Sequence, residues 1–309
     1  MGMLKGACVC VCFIGLNACT RVDSGFRAPG DLSLINDVDL DLGLDMDLDL
    51  GLDMLPSWPT FTTPVLFNDL NTDANEHGPH LSTDGLRLYF TVSHGGGDED
   101  LHLSTRGTLG APFGPPVALL GVNLPSAADR DISLTHDELW MVMERQEEGD
   151  VRRLFWSSRE TVDQAFATPQ PLMIDDDDRG HDPFISPDGL TLVFAADRGE
   201  VGNTDLYLAQ RMTIAAPFSG ARLIQNANSE AAETGPMFVG SWLLFSSNRP
   251  GCVQGKDLFI ATLDLEHAQT DEPRCAGVSS IEQDEDPFLH LGTHVLIFSK
   301  GTEMWVSSF

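Results

Sequence analysis

From residue 57 onward, short apolar runs and polar breaks recur with a period near 52 residues. A brief segment ending in alternating apolar positions returns as Gly78-Pro79-His80-Leu81-Ser82, Asp131-Ile132-Ser133-Leu134-Thr135, Asp182-Pro183-Phe184-Ile185-Ser186, Gly235-Pro236-Met237-Phe238-Val239 and Asp286-Pro287-Phe288-Leu289-His290. Equivalent positions 79, 132, 183, 236 and 287 are separated by 53, 51, 53 and 51 residues. Thr83-Asp84-Gly85 and Pro187-Asp188-Gly189 follow two of these segments, and Asp-Gly supplies the left-handed backbone of a tight hairpin. Next comes a nearly continuous apolar run: LRLYFTV, ELWMVME, LTLVFAA, SWLLFSS and HVLIFSK. Such runs, rich in aromatic and β-branched residues, predict strands covered on both faces. A third strand is predicted at DLHLSTR, RLFWSSR, DLYLAQR, DLFIATL and EMWVSSF, and a fourth at PVALLG, QPLMID, ARLIQN and AGVSSI.

The fifth copy has no fourth strand, but Pro64-Val65-Leu66-Phe67-Asn68 precedes the first copy as the other fourth strands precede theirs. Pairing that segment with the last three strands removes an open sheet edge by closing a ring. The predicted fold is therefore all-β: a five-bladed β-propeller of four-stranded blades, with the N-terminal strand closing the last blade. An open β-solenoid would need capping repeats, and none is visible.

The Ser186-Pro187-Asp188-Gly189 turn, Asp205-Leu206-Tyr207, Asp257-Leu258-Phe259, and the strand ends Asp197-Arg198 and Asn248-Arg249 resemble the TolB-type, WD-repeat-like propeller repeat. The links Ala111-Pro112-Phe113 and Ala216-Pro217-Phe218 resemble its envelope-protein version. The resemblance covers most of residues 60–309 and implies a fold, not an activity. The second copy departs from it, with Thr135-His136-Asp137-Glu138 in place of the Asp-Gly turn.

The start of the chain adds a location. A basic start with Lys5 precedes the apolar run Ala7 to Leu16, which is too short to span a bilayer permanently. Leu16-Asn17-Ala18-Cys19 resembles the bacterial lipoprotein processing site, which implies a signal peptide over 1–18 and lipid on Cys19. Thr20 follows Cys19 where some bacteria place an Asp retention signal, so the resemblance implies an outer-membrane lipoprotein of the cell envelope. Residues 19–56 form an acidic Asp/Leu-rich spacer, expected to be disordered, and the propeller domain is expected over 57–309. An EF-hand within the spacer is excluded by Gly43 falling one place late and Leu48 standing where the last acid should be.

A formal net charge of −29 argues against nucleic acid and against electrostatic docking on anionic lipid, leaving the lipid anchor as the membrane contact. Apart from the leader cysteines and Cys19, only Cys252 and Cys275 remain. Export favours their pairing. Against it, the strand between them should span about 23 Å, which separates them unless the 264–274 loop folds back.

Acids recur beside the entry strands: Glu76, Asp129, Asp131, Asp182, Glu233, Asp284 and Asp286. They form either a binding rim around the channel mouth for a cation or cationic ligand, or caps that hold their own turns, and a repeat favours the caps. His77, His80, His181 and His290 lie near the same strands as weaker metal candidates, and Asp175 to Asp178 is the densest acidic run, read as a solvated loop. Trp140, Trp156, Trp242 and Trp305 are read as packing between blades. His94-Gly95-Gly96-Gly97 looks like a lipase oxyanion loop, but the chain has no G-x-S-x-G elbow and no H-E-x-x-H. No separate hydrolase domain, of the kind peptidase-linked propellers use, is expected.

These observations lead to the expectation of a non-enzymatic scaffold that binds an envelope protein or glycan. No cofactor is expected beyond calcium as a candidate ion. The alternatives are a carbohydrate-active enzyme using channel carboxylates and a calcium-stabilised adhesin.

Overall fold

A computed structural model describes residues 59–95, 98–147, 151–197, 204–253, 255–278, 280 and 282–309. The signal peptide, Cys19 and the acidic spacer lie outside the described residues. The described residues form β-strands, turns and loops, and no helix among them is long and apolar enough to cross a membrane.

The chain is a five-bladed β-propeller. Strand β1 (Val65–Leu66) comes first. Blade one holds β2 (Asn75–Leu81), β3 (Arg87–Ser93), β4 (Glu99–Thr105) and β5 (Val117–Ala118). Blade two holds β6 (Ala128–Leu134), β7 (Trp140–Gln146), β8 (Arg152–Ser158) and β9 (Gln170–Pro171). Blade three holds β10 (His181–Ile185), β11 (Thr191–Ala196), β12 (Asp205–Gln210) and β13 (Ser219–Leu223). Blade four holds β14 (Glu233–Val239), β15 (Trp242–Ser247) and β16 (Asp257–Asp264), with its outer strand broken into β17 (Gln269–Thr270) and β18 (Arg274–Cys275). That outer pairing lies ahead of the AGVSSI segment the sequence suggests. Blade five holds β19 (Asp284–His290), β20 (Val295–Lys300) and β21 (Glu303–Ser308), and β1 completes it by pairing antiparallel with β21.

Closure goes beyond two paired residues. The Asn71 amide donates to the Met304 carbonyl and accepts from the Met304 N–H. Asn123 makes the same double bond to Leu101, and Asn228 to Leu206. One polar side chain thus replaces a strand partner at the same place in three blades, satisfying backbone groups that would otherwise be buried and unpaired.

Second strands carry the core. Phe90, Phe194, Phe245 and Phe298 are fully buried at equivalent positions, with Met143 in blade two. The arginines that end the third strands fasten each hairpin to the following link. Arg106, Arg159 and Arg211 donate from Nε to the carbonyls of Gly85, Glu138 and Gly189, and lie over the rings of Phe113, Phe166 and Phe218. The phenylalanines of the recurring links therefore each face a cation, and Phe113 also meets the edge of Phe67.

Blade two keeps the hairpin despite its altered sequence. Thr135 donates to Asp137, whose carboxylate also accepts from the Leu139 N–H, as Ser82 and Asp84 do in blade one. Glu138 takes the left-handed position, with φ of 56°, that Gly85 and Gly189 occupy elsewhere. In return its carboxylate reaches blade one, accepting from Arg87 and the Tyr89 hydroxyl, with Arg159 3.7 Å away.

Cys252 and Cys275 are joined, with Cα atoms 5.7 Å apart. Strand length misleads here, because β18 runs back along β16 and places Cys275 opposite Phe259, near the start of that strand. The turn before β16 then meets it.

Candidate functional site

The innermost strand of every blade begins ahead of the recurring acid or glycine, or one residue before it in blade three, and the ladder slips beside that residue. A proline follows it in four blades, tolerated because this strand has no partner on its channel side. The slip forces a left-handed backbone at Gly78, Asp131, Asp182, Gly235 and Asp286, with φ between 47° and 59°. Three of the five are aspartates, bearing a backbone cost that concentrates at functional sites.

The seven candidate acids separate into two sets. Glu76, Asp129, Glu233 and Asp284 are fully buried and hold their own loops. Glu76 accepts from Thr72, Asp129 from the Leu124 N–H and Arg145, Glu233 from Ser229 and Ser247, and Asp284 from Ser280. Capping fits these four. Asp131, Asp182 and Asp286, two residues further on or in the equivalent place, line a cavity of about 40 Å³ on the channel axis.

The spacing of the groups beside that cavity suits an ion. His77 Nδ1 lies 3.7 Å from Asp131 Oδ1 and 3.9 Å from Asp286 Oδ2, and these ligand-type atoms all fall within 4.8 Å of one another. Oxygen and nitrogen ligands about 2.0–2.6 Å from one cation would sit at such separations. A second group, Glu144, His181 and Asp182, meets the same limit, with His181 Nδ1 3.1 Å from Asp182 Oδ2. Neighbouring blades orient the acids: Thr91 Oγ1 accepts from the Asp131 N–H, and the Gly235 N–H donates to Asp182. A Cβ on Gly78 would stand 2.4 Å from Asp131 Oδ1, so that carboxylate needs a glycine beside it.

Charge is concentrated here. Burial opposes a charged His77, but Asp131, Asp286 and Glu99 outweigh it and push its pKa to about 9. Burial pushes Glu144 to about 8, aided by the charges of Asp131 and Asp182. Burial also drives Asp286 well above the ordinary carboxylate range, again with Asp131 beside it. Asp182 goes the other way: burial opposes ionisation, yet His181, Arg152 and the Gly235 N–H hold it well below that range.

Glu144 is the residue sequence reasoning missed. Its signal was a lone acid in the apolar run of β7, a position where only a partnered or functional carboxylate is tolerated. Arg130 lies 3.5 Å from it and 2.5 Å from Glu99. Of the histidine candidates, His77 and His181 reach the acidic clusters, His290 lines a cavity on the turn side of the channel, and His80 stands between that cavity and the acidic one. The run Asp175 to Asp178 is occupied structurally: Asp175 caps Gly220 and Ala221, Asp177 pairs with Arg179, and Asp178 pairs with Arg153. Trp140 and Trp156 stack on each other at 4.8 Å within blade two, and Arg211 lies over Trp140.

No family model and no curated protein matches the chain. Solved structures do match. An α-L-arabinofuranosidase from Lactobacillus brevis aligns with a TM-score of 0.54 at 13% identity, over 79% of this chain and 94% of that one. A family 117 glycoside hydrolase of Zobellia galactanivorans aligns at 0.54 and 11% identity, over 81% and 90%. A putative TolB from Agrobacterium tumefaciens aligns at 0.49 and 15% identity, over 78% and 79%. At these identities the likenesses show the fold alone, a β-propeller that glycoside hydrolases also have. They correct one expectation. The reading of the chain as a non-enzyme rested on a missing nucleophile motif and a missing hydrolase domain, and a fold that glycoside hydrolases also have gives those absences no such weight.

Proposed function

We propose that this chain is an envelope lipoprotein, anchored through Cys19, whose propeller holds a divalent cation in the acidic channel mouth and binds a glycan through it. The observation that carries this reading is the convergence of His77, Asp131 and Asp286 on one point, with Asp182 on the same cavity. A cavity of about 40 Å³ takes an ion with little else, so a sugar would lie above it and bring hydroxyl oxygens to the open side of the ion. Carboxylates suit calcium, and the imidazole extends the choice to metals that accept nitrogen. The fold shared with two glycoside hydrolases supports a glycan as the ligand class.

The test is calorimetric titration of the purified protein with calcium, manganese and zinc, followed by an array of envelope glycans with and without chelator. One-site metal binding is expected, lost in the Asp131→Asn, Asp286→Asn double variant, together with chelator-sensitive glycan capture. Equal metal binding by wild type and a folded double variant would sink the reading.

A second reading, glycoside hydrolysis, is favoured by one observation: Glu144 and Asp182 bring carboxylate oxygens within 4.8 Å of each other, with burial raising the first to about 8 and His181 holding the second well below the usual carboxylate range despite its burial. It predicts turnover of aryl glycosides that Glu144→Gln removes. Wild-type protein indistinguishable from blank across a broad glycoside panel would count against it.

A further inference from the structure

The channel changes character away from its acidic end. On the side of the hairpin turns it widens into a chamber of about 230 Å³ to which all five blades contribute. His80, Leu134, Phe184, Phe238 and Phe288 come from blades one to five in turn. His80, Phe184, Met237 and Phe288 also line the acidic cavity, so they form the partition between the two.

The chamber offers no free carboxylate, and His136, at its exposed edge, is bonded to Thr83. Its one carboxylate, Glu138, is already engaged by Arg87 and Tyr89. The Ser82 and Thr135 hydroxyls donate to Asp84 and Asp137 within their own turns, and His290 Nδ1 is held by Thr293. Burial drives the His80 pKa down to about 3, which keeps that ring neutral. His80 Nδ1 is buried without a partner, so the chamber offers an occupant one polar contact, and a charged occupant would lose most of its hydration without compensation. The aromatic walls are set at angles: Phe184 meets Phe238 at 5.5 Å and 67°, and His80 meets Phe288 at 4.6 Å and 57°. Tilted rings of this kind offer both faces and edges to another ring. A cavity of about 150 Å³ lined by aliphatic and aromatic side chains already admits benzene, and this chamber is larger.

We infer that the turn-side chamber is a binding site for a neutral, flat aromatic molecule of one or two fused rings. It is separate from the acidic mouth and does not depend on what that mouth holds.

Indole and 5-fluoroindole are suitable probes, read by fluorine NMR titration and by melting temperature. Two filling variants test the location: Met237→Trp in the partition, and Val239→Trp at the half-buried rim. Wild-type protein is expected to bind one equivalent saturably and to melt higher with the probe present. Each folded filling variant should bind at least about tenfold more weakly, a change of about 1.4 kcal/mol. If Met237→Trp fails to fold, Val239→Trp decides. Absence of saturable binding up to the solubility limit overturns the inference, as does undiminished binding by a folded filling variant. Chelator should leave the affinity unchanged; its loss with chelator would move the probe to the acidic mouth and overturn the assignment.

Discussion

Glu138→Ala is expected to lower the stability of the propeller by about 3–5 kcal/mol, the usual cost of removing one partner from a buried ion pair. Two donors lose their acceptor together, the Arg87 guanidinium and the Tyr89 hydroxyl, and Arg159, which donates to Tyr89, loses the negative charge 3.7 Å from it. Arg159 stays buried and positive, and Tyr89 stays fully buried. Alanine also inherits the φ of 56° without any contact to offset it. A melting temperature lower by roughly 10 °C should follow for a domain of this size, measured by calorimetry. Glu138→Gly separates the two contributions, because it restores the backbone preference but not the network. If glycine is as stable as wild type, the network contributes nothing and Glu138 does not fasten blade two to blade one.

The second large effect is on pH. The folded-state pKa values of His77 and Glu144 are raised to about 9 and about 8, from ordinary values of 6.5 and 4.5. Each raised value means that the folded protein binds the proton more tightly than the unfolded chain does. The contribution of His77 is complete below pH 6.5 and is lost as pH rises through 9; that of Glu144 is complete below 4.5 and is lost as pH rises through 8. Stability measured without metal should therefore fall between pH 6.5 and 9. The fall should reach several kcal/mol, since each tenfold gain in proton affinity on folding corresponds to about 1.4 kcal/mol. A divalent cation supplies the missing positive charge, so its stabilising effect should grow over the same range. Denaturation curves at about pH 6, 7.5 and 9, with and without calcium or manganese, check both halves. A metal-free stability that rises with pH would contradict the proton assignment, and metal protection that shrinks with pH would contradict the site.

The ring of blades was legible in the sequence because each copy repeats a backbone demand. The Asp-Gly turns, the proline after the left-handed position and the second-strand phenylalanines each have one physical use. The site was half legible. Repetition marked seven acids but did not distinguish Asp129 from Asp131, because a two-residue offset in a strand with a slipped register decides which carboxylate turns to the loop and which to the channel. Glu144 was hidden by its setting in an apolar strand, and His77 gained its meaning only when blades one, two and five met at the axis. The disulfide was obscured for a related reason: separation along the chain says little once a strand doubles back.

The closing strand also sets how the molecule carries load. Any tension arriving from the N-terminal side of residue 59 enters the fold at β1 and its attachments to blade five, including Thr62 on Ser308 and Asn71 on Met304. The seam that completes the ring is therefore its mechanical fuse. A pull strong enough to peel this short segment away would expose the edge of β21 and open the circle at blade five, while blades one to four still kept all their strands.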